Sequence, residues 1–197
     1  MIEHSKSVRK GVKKSLMIVD MPFNTYKNKY QALKNCKKII KETKCDGIKL
    51  EGGSKIKDII KHLVNNKIPV MGHIGITPQS QRGRFRYKGN TEKEKKNLLK
   101  DSKILEEAGV FAIVLECIEK KLSKKITESI GIPTIGIGSS KFCDGQILVL
   151  DDLLGLTNSK IKFVKKYANF KSNIRNAVKK FGSDVKRGSY PSLKHSY

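Results

Sequence analysis

Short apolar runs alternate with segments of helical period along this chain, and four of the runs end on a residue that can do chemistry. SLMIVD ends on Asp20, GIKLE on Glu51, IPVMGH on His73 and FAIVLE on Glu116. Continuous apolar runs of this length suit strands buried on both faces of a parallel sheet. Between them, stripes such as Leu33, Cys36, Ile39 and Ile40, or Ile56, Ile59, Ile60 and Leu63, predict helices with one inward face. A strand-helix alternation requires right-handed parallel crossovers, which leaves a TIM-type barrel or an open doubly wound sheet. The first strand-helix turn has no GxGxxG, which weakens a dinucleotide-binding reading. Reactive residues at successive strand ends favour the α/β barrel, whose strand C-termini converge on one rim.

The predicted elements are a helix over 5–14, then strands over 15–20, 46–50, 69–73, 110–115, 133–137 and 146–150. Helices are predicted over 29–43, 54–65, 91–108, 119–130 and 158–181, a long loop over 77–90, and an extended end from Gly188. Six strands fall short of the eight of a full TIM barrel. The organisation expected is one partial barrel domain over residues 1–197, with the segment 158–197 part of it.

Composition narrows the function classes. No run approaches the ~20 apolar residues of a membrane span, and the basic N-terminus lacks the apolar core of a signal peptide. The four cysteines have no CxxC spacing, so they read as reduced thiols of a cytoplasmic protein. The formal charge is +24, but only six of the 42 basic residues are Arg. Without aromatic interleaving or a zinc-finger or RNP pattern, the charge argues for solvated lysine faces rather than nucleic-acid recognition. The most basic part begins at Asn158, with eleven Lys or Arg against Asp184 alone.

The strand-end residues carry specific chemistry. Asp20 and Glu51 precede Pro22 and Gly52–Gly53, which turn the chain off a rim. Paired oxygen ligands suit a hard cation such as Mg²⁺, which keeps waters and takes one or two carboxylates. Asp20 could equally serve as a turn or capping residue. Lys49, two residues before Glu51, faces the same side of its strand; it would hold a substrate carboxylate or pair with Glu51. His73, between small neighbours, can shuttle a proton near neutral pH or sit hydrogen-bonded in the core. Glu116 leaves a wholly apolar strand, which suits a general base; the plainer alternative is an ion pair with a lysine. The run Ile135–Ser140 offers backbone N–H groups at a late strand-helix loop, a weak anion motif.

The strings DMPFNTY, GIKLEGG, VMGHIGITPQS, LEEAGVFAIVLE, IPTIGIG and CDGQILVLDDLLG, in this order, resemble the ketopantoate hydroxymethyltransferase family. The resemblance extends from Ile2 to the C-terminus. It implies a TIM barrel, a homo-oligomer of decameric size, and transfer of a hydroxymethyl group from 5,10-methylenetetrahydrofolate to 3-methyl-2-oxobutanoate with Mg²⁺. It implies Asp20 as a metal and substrate ligand, Lys49 as the carboxylate-binding residue, Glu51 as the second metal-site carboxylate, Glu116 as the proton acceptor and His73 as a further active-site residue. The family's first two strands, the second with a GDS motif, have no counterpart here, and the family's usual Pro is replaced by Glu119. The resemblance therefore implies about six of eight units, with weak or no turnover and poor Mg²⁺ binding by the isolated chain. The other readings are an inactive fragment keeping the fold, or another Mg²⁺-enolate barrel of the phosphoenolpyruvate mutase and isocitrate lyase group, from which GHIGITPQ and KLEGG point away.

Overall fold

The first five apolar runs fold as strands, and each strand of the sheet lies parallel to the next. The computed structural model describes residues 1–80 and 86–197. The chain divides into two compact units, Met1–Ile147 and Leu148–Tyr197.

The first unit carries helix α1 (Ile2–Gly11) and then strands β1 (Ile18–Asp20), β2 (Gly47–Glu51), β3 (Val70–Gly75), β4 (Ala112–Glu116), β5 (Thr134–Ile137) and β6 (Gly145–Gln146). Helices α2 (Lys29–Thr43), α3 (Lys57–Asn65, after a 3₁₀ turn over Ser54–Ile56), α4 (Glu92–Glu107) and α5 (Lys120–Ser129) connect β1 to β5 in turn. The sheet order is β1-β2-β3-β4-β5-β6, every pairing parallel, so the six strands form a partial barrel. Side-chain alternation divides the sheet's two faces. Ile48, Leu50, Ile113 and Leu115 are fully buried in the core. A Cβ on Gly72 would stand 2.9 Å from the Leu105 side chain of α4, so that face belongs to the helices. Lys49, Glu51 and His73 occupy the alternate positions, on the other face.

The helices begin where side chains satisfy their free N–H groups. Asn28 accepts the Gln31 N–H at the start of α2, whose inner stripe Ala32, Cys36, Ile39 and Thr43 is buried. Thr91 accepts the Glu94 N–H at 3.2 Å, and the Glu94 carboxylate accepts the N–H groups of Gly89 and Asn90 in return. Glu119 accepts the N–H groups of Lys121 and Leu122 and so caps α5.

In this unit three boundaries move, and one expected element falls partly outside the described residues. Helix α1 stops at Gly11 rather than Lys14, because the Arg9 guanidinium donates to the Val12 carbonyl at 2.8 Å. Strand β1 begins only at Ile18; before it, the Met17 N–H donates to the Asp46 carboxylate. The 77–90 loop is described only outside residues 81–85, which lie outside the described residues. The last strand is two residues long: β5 ends at Ile137, so the run past Ile147 has no partner edge to follow.

The second unit contains α6 (Leu150–Leu153), α7 (Phe170–Lys186) and a 3₁₀ turn over Leu193–His195. The helix expected over 158–181 starts only at Phe170, after the Asn169 cap. The Tyr167 and Phe170 N–H groups bond the Leu153 and Leu154 carbonyls instead of propagating a helix. The tail expected to be extended contains that 3₁₀ turn, with Tyr190 edge-on to Phe181 and near His195, each 5.4 Å between ring centres. Phe170, Ile174, Val178, Phe181 and Val185 form one apolar stripe on α7, and all five are exposed.

Candidate active site

Register brings the strand-end residues together. Asp20 pairs with Lys49 across β1 and β2, Glu51 with His73 across β2 and β3, and Gly75 with Glu116 across β3 and β4. Backbone bonds continue the ladder just past these residues. The N–H of Met21 reaches the Lys49 carbonyl, Gly52 reaches His73, and Ile76 reaches Glu116, at 2.9–3.0 Å. Gly52 and Gly75 hold positive φ, where glycine alone is unstrained. A Cβ at Gly75 would fall 2.1 Å from the Glu116 carbonyl oxygen, so the strand must carry glycine there.

The five side chains form a continuous polar row. Lys49 Nζ lies 2.9 Å from Asp20 Oδ1 and 3.1 Å from His73 Nδ1. An ammonium only donates, so His73 Nδ1 accepts and the ring proton resides on Nε2. That Nε2 faces Glu116 Oε2 at 3.2 Å, while Nδ1 is 3.8 Å from Glu51 Oε1. Two of these contacts lack hydrogen-bond alignment: Asp20 Oδ1 and His73 Nε2 are buried atoms without an aligned partner. The first is an ion pair at close range, and the second sets Nε2 of a neutral ring beside the Glu116 carboxylate. The middle of the row is the most buried, with side chains 3% accessible at His73 and 4% at Glu51, against 36% at Asp20, 17% at Lys49 and 19% at Glu116.

Burial pushes the Glu51 carboxyl above its ordinary range. Opposing it are His73, the Gln79 N–H and the Lys49 charge; Asp20 adds to the upward push.

A sequence model of the ketopantoate hydroxymethyltransferase family matches residues 1–193. The 3-methyl-2-oxobutanoate hydroxymethyltransferase of Pelagibacter ubique (strain HTCC1062) is 60% identical over the whole chain, which spans 76% of that protein. The enzyme of the same name from Helicobacter pylori (strain ATCC 700392 / 26695) is 48% identical, again over the whole chain and 74% of its own length. The chain belongs to the ketopantoate hydroxymethyltransferase family. Among solved structures, a phosphonopyruvate hydrolase superposes with a TM-score of 0.53 at 13% identity, over 98% of this chain and 70% of that one, a likeness of fold.

Within this family member, the residues fit a hard divalent cation modestly. Asp20 offers a buried oxygen without an aligned donor, and Glu51 lies close enough to feel its charge. Among the described residues no group of three metal-ligating side chains gathers, but two carboxylates with retained waters are enough for Mg²⁺.

Reading the sequence missed two residues of the rim. The Gln79 N–H donates to Glu51 Oε2 at 3.1 Å, and its side-chain amide donates to the Met21 carbonyl at 3.0 Å. Tyr26 donates its hydroxyl to the Gln79 amide oxygen at 3.4 Å, and burial pushes that phenol up to about 12, so it remains a donor. Both lie inside quoted strings, GHIGITPQS and DMPFNTY; their uncharged chemistry gave no signal. The late loop serves the fold. Ser139 Oγ donates to the Leu115 carbonyl and accepts the Ile118 N–H, which braces the end of β4.

Proposed function

We propose that this chain transfers a hydroxymethyl group from 5,10-methylenetetrahydrofolate to 3-methyl-2-oxobutanoate, with Asp20 and Glu51 as the metal-site carboxylates. The observation that carries this reading is the contact of Glu116 Oε2 with His73 Nε2 at 3.2 Å, at the end of a polar row reaching Asp20. Family membership supplies the reaction class, and the names of the relatives supply the substrate.

In this reading Lys49 takes the substrate carboxylate, which fixes the keto acid by one end. Asp20 and Glu51 would hold Mg²⁺, which, when bound, polarises the keto oxygen as a Lewis acid. Glu116 accepts the proton from the branched carbon beside the keto group. The Nε2 of His73 lies 3.2 Å from the Glu116 carboxylate and would steady it by hydrogen bonding once the two align. The carbon then bonds to the one-carbon unit of the folate and water supplies the hydroxyl oxygen; both carbon–nitrogen bonds of that unit break, and tetrahydrofolate leaves with the proton taken from the branched carbon and one proton of the water on its two nitrogens. Five residues held by one parallel ladder fix the approach and reduce the entropy lost at reaction. A cytoplasmic homo-oligomer and a single domain including residues 158–197 belong to the same proposal.

The test is tetrahydrofolate release from 5,10-methylenetetrahydrofolate by purified protein with 3-methyl-2-oxobutanoate and Mg²⁺. Release that disappears in Glu116→Gln supports the reading. Folded protein that binds neither the keto acid nor Mn²⁺ overturns it. Binding without release identifies a chain that keeps the site but not the turnover.

A further inference from the structure

Lys49 is already engaged. Its ammonium stands 2.9 Å from Asp20 Oδ1 and 3.1 Å from His73 Nδ1, with 17% of the side chain accessible. It therefore offers an incoming carboxylate little unpaired positive charge. Around it the rim holds three carboxylates, of Asp20, Glu51 and Glu116, against this one ammonium and a His73 ring that accepts from it. With all three ionised, the rim carries two excess negative charges and repels an anionic keto acid. A dication on Asp20 would cancel that excess and remove the lysine's partner in one event. The Lys49–Asp20 contact is suited to exchange, because it is close but not aligned as a hydrogen bond. The bond to His73 is the one that stays, so the lysine pivots on the ring rather than leaving the site.

We propose that Asp20 parks Lys49 until a divalent cation takes its carboxylate, so that metal binding releases Lys49 for the keto acid and sets the order cation first, keto acid second. This rests on the reading above that Asp20 joins the metal site and Lys49 receives the carboxylate. Asp20 is then a positioning residue for Lys49 as well as a ligand. Coupling of this kind is reciprocal: bound keto acid tightens the cation by the same factor, commonly about 5- to 150-fold.

The experiment is calorimetric titration of the folded full chain, with circular dichroism to verify each variant. Without metal, 3-methyl-2-oxobutanoate binds Asp20→Asn about 5-fold or more tighter than wild type. Glu51→Gln removes the same charge from the rim but not the lysine's partner, and its gain is smaller. Equal gains in the two variants reduce the effect to net charge and overturn the latch, as does no gain in Asp20→Asn. In the second arm, Mn²⁺ binds Lys49→Met about 10-fold tighter than wild type, with a smaller change in Lys55→Met, an exposed lysine beyond Glu51. Unchanged or weaker Mn²⁺ binding by Lys49→Met overturns the latch. Wild type that fails to bind the keto acid even with Mg²⁺ overturns the functional reading instead, and the Mn²⁺ arm then decides the latch alone.

Discussion

Helices α2 and α7 are built alike and end differently. Both are amphipathic, with an apolar stripe and a lysine-rich outer face. In α2 the stripe Ala32, Cys36, Ile39 and Thr43 is buried. In α7 the stripe Phe170, Ile174, Val178, Phe181 and Val185 is exposed, and no residue of that helix is buried. Periodicity therefore selects which face is apolar but not what covers it. In the first unit a parallel sheet supplies the cover, and the same sheet aligns the polar row. Residues from Leu148 onward contain no strand, and there the pattern places no polar group against another apart from local pairs such as Arg187 with Asp184.

The largest effect falls on the row. Glu116→Gln keeps the shape of the side chain but cannot accept the proton. Turnover should fall about 10²- to 10⁴-fold with little change in KM, measured as tetrahydrofolate release. A smaller loss would move the base elsewhere in the row.

The next effect tests the covered helices against the uncovered one. Leu105 is fully buried and packs beside Gly72, so Leu105→Ala should cost about 2–5 kcal/mol in urea unfolding. Val178 is 64% exposed, and Val178→Ala should stay within about 0.5 kcal/mol. Comparable losses would show that α7 is covered in solution and end the contrast. Thr91→Ala removes the cap of α4 and should cost about 1 kcal/mol in the same assay.

The smallest effect is a pH-dependent gain. The Glu51 carboxyl is held above its ordinary range in the folded protein, so the native state binds that proton more tightly than the unfolded chain. The cost of ionising it is absent below the unfolded value and complete above the folded one. Glu51→Gln should therefore raise Tm at neutral and alkaline pH, and the gain should shrink on acidification through the carboxylate range. A gain that is constant with pH would assign it to packing rather than charge.

Much of the first unit was legible in the sequence because strand length, helical stripe and capping residues are local. The spans of α2, α4 and α5 follow from stripes and breakers a few residues apart. Apart from the end of α1, set by the Arg9 bond to Val12, the expectations that moved were decided by partners distant in sequence or by a missing edge. Asp46 ended the extension of β1, and the short β5 limited β6. The free state of all four cysteines agrees with their spacing.

The sequence by itself determined the alternation of strands and helices, the family, and the identity of the residues at the strand ends, since these depend on residue type and order. Only the tertiary structure decided that Lys49 lies between Asp20 and His73, that Glu51 rather than Asp20 is the deeply buried carboxylate, and that Gln79 and Tyr26 close the rim over it. The physical reason is register. Pairing Asp20 with Lys49, Glu51 with His73 and Gly75 with Glu116 sets which charges meet, and a ladder between residues 22 to 41 positions apart is fixed by the whole packed sheet, not by any one run.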